Sequence, residues 1–187
     1  PSDYGFDYSF GTAGSAEMNP STFIENNRAT IIPTLSSQQA RENNGQWYGR
    51  DDNIAAQGYT MDALVPALSR KAFEFVEKAT RIRPDQPFFL YYAMTTPHNP
   101  IVPNPKFVGT SRAGAYGDFV VELDLHVCQV LDTLVEVGID KNTLVIFTSD
   151  NGPNVGDNLG RNQESGGLRG KKAKIWEGGI RIPFMVS

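Results

Sequence analysis

The sequence predicts an α/β fold, a mostly parallel sheet flanked by helices, from three observations. Residues 88–94 (FFLYYAM) and 143–148 (TLVIFT) are continuous apolar runs, the pattern of strands covered on both faces. Between them, residues 116–137 repeat apolar side chains at helical spacing. Strand, long helix and strand then form a βαβ unit, which is normally right-handed and parallel.

Each element has its own signal. Residues 1–60 are rich in Gly, Ser, Asn and aromatic residues without a sustained period. Asn19-Pro20-Ser21 and Asn43-Asn44-Gly45 are turn signals, and residues 28–32 (RATII) suit a short strand. A loop-rich region of this length in a compact domain is expected to carry function, as a lid or a binding loop. From Asp62 onward, Leu64, Leu68, Ala72, Phe75, Val76 and Ala79 follow helical spacing, with Arg70, Lys71, Glu74 and Glu77 on the other side. Pro66 fits the first turn, where its missing N–H costs least. Arg83-Pro84-Asp85 breaks the chain before residues 88–94, and a proline-rich loop, 97–105, follows them. In the second helix Phe119, Val120, Leu123, Val127, Val130, Leu131 and Leu134 form the stripe, and Gly138 is a stop signal. Cys128, inside this helix, reads as a small buried hydrophobe. Residues 1–187 are expected to belong to one catalytic domain, 1–60 loop-rich and 61–187 an α/β core.

Bulk properties narrow the function. The 187 residues carry a net charge of −4 with acids and bases interspersed, which argues against a nucleic-acid footprint. No run approaches the roughly 20 apolar residues of a membrane-spanning helix. A single cysteine excludes an intrachain disulfide framework. The chain opens on Pro1-Ser2-Asp3 and closes on IPFMVS, which reads as a strand cut short. An internal fragment of a longer protein, giving an incomplete fold, is expected.

In open α/β sheets ligands bind outside the carboxyl ends of the strands. After the first strand comes TTPHNP with His98; after the second, SDNGP with Asp150 and Asn151. A carboxylate beside a carboxamide supplies oxygen donors suited to a hard divalent cation, Ca2+ or Mg2+. The same Asp-Asn-Gly also makes a good turn with Asx hydrogen bonds, and His98 alone could be an ordinary loop histidine. A third segment, 166–183 (GGLRGKKAKIWEGGIRIP), places Arg169 and three lysines among glycines ahead of another strand. Its cations suit a tetrahedral oxyanion, or else a basic surface loop.

PFFLYYAMTTPHNP, TLVIFTSDNGP and LRGKKAKIWEGGIRIP, in this order and separation, resemble the type I sulfatases, the arylsulfatase-A-like branch of the alkaline phosphatase superfamily. The opening GFDYSFG is similar to the segment before their substrate loops. The resemblance implies a sulfatase-like α/β fold and hydrolysis of a sulfate monoester of a carbohydrate or aryl alcohol. It implies that Asp150 and Asn151 ligate the active-site metal, Ca2+ ahead of Mg2+. It implies that His98 contacts the substrate sulfate, and that Lys172, five residues before Glu-Gly-Gly, binds it, both as catalytic and substrate-binding residues. Lys171 and Lys174 are not selected, and Arg169, Glu177 and Arg181 are expected to support the loop. The implied partners are a sulfated small molecule or glycan and the rest of the parent sulfatase chain. The implied location is secreted, periplasmic or lysosomal.

The departures are equally definite. The family's nucleophile is a formylglycine made from a Cys/Ser-x-Pro-x-Arg motif, which this sequence lacks; Cys128 is followed by Gln129-Val130-Leu131. The family's upstream lysine and histidine are missing too. Asp51-Asp52 imitates the first metal-binding aspartate pair but lacks a buried strand before it. The isolated 187 residues are therefore expected to be inactive. Alternatives are a phosphodiesterase or phosphonate monoester hydrolase on the same fold, or a non-catalytic homologue that binds anionic sugars. Residues 1–60 and 155–167, with Trp47, Tyr48, Tyr59, Asn158, Arg161, Asn162 and Gln163, are expected to shape the leaving-group pocket.

Overall fold

The computed structural model describes residues 1–43, 50–154 and 164–187. They form two compact units, Pro1–Val137 and Gly138–Ser187.

The first unit begins with an antiparallel meander of two-residue strands, β1 (Phe10–Gly11), β2 (Ile24–Glu25) and β3 (Arg28–Ala29). Asn26 and Asn27 turn between β2 and β3 with positive φ, a region asparagine tolerates better than most residues. A second small sheet pairs β4 (Leu35–Ser36) with β5 (Ile54–Ala55), separated by α1 (Ser37–Asn43). The apolar cluster beneath them is Ala40, Ala55, Ala56, Tyr59, Met61, Leu64 and Val102. Tyr59 is 3% exposed, and its hydroxyl donates to Ala16 O. It is therefore a core residue, which corrects its expected place in a leaving-group pocket.

The first helix, α2 (Leu64–Ile82), keeps Pro66 in its first turn and buries Leu64, Val65, Leu68, Ala72 and Val76. Residues 88–94 run back along it without joining a strand. Phe88 meets Phe75 edge-on at 5.6 Å, and the Tyr92 hydroxyl lies 2.6 Å from the Ser69 hydroxyl. Phe89 and Tyr91, in alternation, are more than 70% exposed. The segment is thus covered on one face, not two: its period-two geometry turns every second side chain away from α2.

The second helix, α3 (Gly114–Glu136), ends before Gly138, which has φ +74°. Its buried face is Asp118, Phe119, Glu122, His126, Thr133 and Leu134. The expected apolar stripe holds at Phe119 and Leu134, whereas Val120 and Leu131 are more than a third exposed. The carboxylates of Asp118 and Glu122 lie on the buried face because it meets loop N–H groups that need acceptors. Cys128 is exposed, which corrects the expectation of burial; it projects away from the face that carries His126.

In the second unit β6 (Ile146–Thr148) pairs antiparallel with β7 (Phe184–Val186), and α4 (Glu177–Ile180) is a single turn before β7. Leu144 and Ile146 are 71% and 52% exposed, so residues 143–148 are not a fully buried strand. The α/β class holds, yet every pair of named strands among the described residues is antiparallel.

Candidate functional site

The second unit is organised around the exit of β6. The Thr148 hydroxyl donates to Pro183 O at 3.0 Å, fixing the end of the strand beside β7. Asn151 Nδ2 then donates to Asp150 Oδ1 at 3.1 Å and to Gly152 O at 3.3 Å. Ser149 Oγ donates to Asn151 O at 3.1 Å. Local hydrogen bonds therefore hold the carboxylate and the carboxamide side by side, with Asp150 exposed and Asn151 half-buried.

The residue that follows determines what lies against this pair. Gly152 N donates to Gly179 O at 2.9 Å, and a Cβ on Gly152 would stand 2.1 Å from Gly178 O. Only a residue without a side chain allows two backbones to approach so closely. Lys172 N donates to Pro153 O at 2.8 Å, and Gly178 N donates to Arg169 O at 2.8 Å. The Arg169 guanidinium lies 3.7 Å over the Trp176 ring, a cation–π contact that braces the two ends of the loop. Glu177, at the start of α4, and Arg181, just after it, form an exposed ion pair at 3.8 Å. Segment 164–179 is therefore folded onto the strand exit, not a free basic loop. The structure brings Asp150, Asn151 and the Lys172 backbone together; Lys174 is exposed.

The Asp150–Asn151 pair fits part of a hard-cation site by donor chemistry: one carboxylate and one amide carbonyl, adjacent and reachable from solvent. In this arrangement the amide NH2 group faces the carboxylate and satisfies it. Among the described residues no group of three or more His, Cys, Asp or Glu side chains could hold a metal. The pair by itself would not complete a coordination shell.

His98 belongs to the first unit. Its N–H donates to Thr95 O at 3.0 Å, and its Nδ1 lies 2.6 Å from Asn99 O. A carbonyl only accepts, so Nδ1 carries the proton and Nε2 keeps the lone pair of the neutral ring. The ring is exposed, and the Thr96–Pro97 and Asn99–Pro100 peptides on either side are cis. Asp51 and Asp52 are both exposed and face Arg41 and Arg50, as ordinary surface acids do. Trp47, Tyr48, Asn158, Arg161, Asn162 and Gln163 lie outside the described residues.

Sequence reasoning missed the polar face of α3. Asp118 is 4% exposed and accepts from Gly109 N at 2.8 Å and Ser111 N at 2.7 Å. Those N–H groups hold its carboxyl below the usual range. Glu122, 1% exposed, accepts from Asn104 N at 2.8 Å. His126 completes the row, and the signal was the i, i+4, i+8 spacing of three titratable residues on one helical face.

The chain matches the Sulfatase family over residues 3–187. It is 41% identical over 141 residues to the steryl-sulfatase of Rattus norvegicus, covering 73% of this chain and 24% of that protein. It is 28% identical to the N-acetylgalactosamine-6-O-sulfatase of Bacteroides thetaiotaomicron, covering 97% of this chain and 42% of that one. A solved structure from work on glycosaminoglycan metabolism by Bacteroides thetaiotaomicron superposes with a TM-score of 0.81 at 27% identity, covering 97% of this chain and 45% of that one. The chain thus spans about a quarter to under half of the length of these relatives.

Proposed function

The chain belongs to the sulfatase family, and on that premise we propose that its protein hydrolyses sulfate monoesters of a carbohydrate or aryl alcohol. The observation that carries this reading is the clasp between the β6 exit and the glycine-rich loop. One hydrogen bond, Lys172 N to Pro153 O, ties the backbone of Lys172 to the residue two positions after Asn151.

Asp150 and Asn151 would hold Ca2+, with Mg2+ the alternative, and the metal when bound would polarise the sulfate oxygens. Lys172 binds a sulfate oxygen and stabilises the negative charge that grows there as the ester bond breaks. Removing one such pre-placed donor typically costs about 10²–10³ in turnover. His98, with Nδ1 tied to Asn99 O, presents Nε2 to the sulfate or to the leaving oxygen. The nucleophile, a formylglycine, is assigned to a part of the protein outside this sequence, so the 187 residues alone are inactive in this reading. An exported or lysosomal setting belongs to the same proposal. Among the described residues no helix is long and apolar enough to cross a membrane.

The test is parallel turnover of 4-nitrophenyl sulfate and bis(4-nitrophenyl) phosphate by the intact protein. Preferential hydrolysis of the sulfate supports the proposal. Preference for the phosphate would assign phosphodiesterase chemistry instead, and binding of sulfated sugar without turnover of either would assign a non-catalytic role.

A further inference from the structure

Both carboxylate oxygens of Glu122 are buried, but only one is used. Oε2 accepts from Asn104 N at 2.8 Å, whereas Oε1 and both ring nitrogens of His126 have no hydrogen-bond partner. His126 Nε2 lies 3.9 Å from Glu122 Oε1, and the two residues are 4% and 1% exposed. Three buried polar atoms without partners are costly, and two of them, Nε2 and Oε1, stand just outside hydrogen-bond distance of each other.

Asn104 is the far anchor of the loop that carries His98. Its backbone N–H binds Glu122, and its side chain donates to Asp62 O at 3.3 Å ahead of α2 and accepts from Lys106 N at 3.4 Å. Two residues earlier, Val102 is buried in the apolar cluster. The loop is thus fixed at residues 102–104, and Glu122 is the only side chain of α3 among the described residues that binds it at Asn104.

We propose that Glu122 and His126 form a proton-binding pair that positions the 97–104 loop, and His98 with it, on α3. A neutral ring carries one N–H, which can sit on either nitrogen; one proton taken from solvent either makes both ring nitrogens donors, with Nε2–H directed at the carboxylate, or protonates Glu122 so that its hydroxyl faces Nε2. The charge count is the same in both arrangements, and both engage Oε1 while Oε2 holds Asn104. Without that proton the buried pair keeps a net negative charge, and Oε1 depends on which tautomer the ring takes. The charged groups that act on the pair from neighbouring elements are Lys106, in the turn after Asn104, and Asp62, ahead of α2. On the pair's own helix, Gln129 lies beside the ring and favours its protonated form. Burial raises the Glu122 carboxyl above its ordinary 4.5 and lowers the His126 imidazole below its ordinary 6.5. Both shifts favour the neutral form of each group and narrow the gap between their proton affinities.

The role of His98 rests on the proposed function, but the pair can be tested without turnover. The intact protein is titrated from pH 8 to 4 by ¹⁵N NMR of the histidine rings, with His126 assigned as the signal lost in His126→Asn. Asn104 amide exchange, corrected for its intrinsic pH dependence, is followed in parallel. Glu122→Gln keeps an acceptor for Asn104 but cannot form the charged pair. The expected result is a His126 proton affinity at least tenfold lower in Glu122→Gln, with Asn104 protection following the His126 titration in wild type alone. An unchanged His126 titration in Glu122→Gln would overturn the proposal. So would Asn104 protection in wild type that does not vary with pH, a result that needs no variant at all. Loss of sulfate ester hydrolysis with these couplings intact would count against the proposed function and leave the pair standing.

Discussion

Replacing Gly152 by alanine should separate the Asp150–Asn151 pair from the Lys172 backbone. Gly152 has no left-handed φ, so alanine carries no backbone penalty there and its effect is purely steric. Its Cβ would stand 2.1 Å from Gly178 O and 2.9 Å from Gly178 C, both backbone atoms that no rotamer change can move. A comfortable C···O approach is about 3.3 Å, so the two strands of the clasp must part by roughly 1.2 Å. Two hydrogen bonds cross that contact, Gly152 N to Gly179 O and Lys172 N to Pro153 O. Losing both costs about 2 kcal/mol, and residual overpacking adds about 1–3 kcal/mol. A loss near 3 kcal/mol lowers the melting temperature of a chain this size by about 10 °C. The assay is thermal unfolding of Gly152→Ala beside Gly138→Ala. Gly138 has open space for a Cβ but φ +74°, so that control carries conformational strain without a clash. Turnover in Gly152→Ala should fall by about 10², the usual cost of an ångström-scale misplacement. A Gly152→Ala protein with wild-type melting and wild-type turnover would refute the clasp.

Three further outcomes follow from individual contacts. Asp118 has a folded pKa below its ordinary 3.8, so its contribution is present above that value and is lost as pH falls through the lower folded one. Melting scans from pH 5 to 2 should show that acid loss in wild type and lack it in Asp118→Asn, which starts lower at neutral pH because its NH2 group faces one of the two N–H donors. Calcium titration calorimetry on the intact protein should show affinity reduced at least about tenfold by Asp150→Asn and unchanged by Asp51→Asn. Ser69→Ala leaves the Tyr92 hydroxyl without its partner at 2.6 Å and should cost about 1 kcal/mol in denaturant unfolding, with turnover unaffected.

The helices were legible because their signals are local. Pro66 in the first turn of α2 and Gly138 after α3 are decided by backbone chemistry within a few residues. The same holds for SDNGP at the exit of β6, where the Asx hydrogen bonds are between neighbours. What escaped depends on contacts between segments far apart in sequence. Hydropathy assigns Asp118 and Glu122 to solvent, and the N–H groups of the 104–111 loop that they accept from explain why they are inside. Residues 88–94 are apolar throughout, yet α2 covers only alternate side chains, and composition carries no record of the other face. The glycines of Glu-Gly-Gly read from sequence as a signature. Their physical reason is the carbonyls of the 168–174 loop, with Gly170 O 2.5 Å and Lys174 O 2.1 Å from where the Cβ atoms of Gly178 and Gly179 would stand, a fit that no periodicity encodes.

The account turns on Lys172 as the cation that the clasp presents beside Asp150 and Asn151. Its most direct test is kcat for 4-nitrophenyl sulfate in Lys172→Ala against wild type, in the intact protein with melting temperature unchanged. The account predicts a fall in kcat of about 10²–10³. A kcat within twofold of wild type would contradict it.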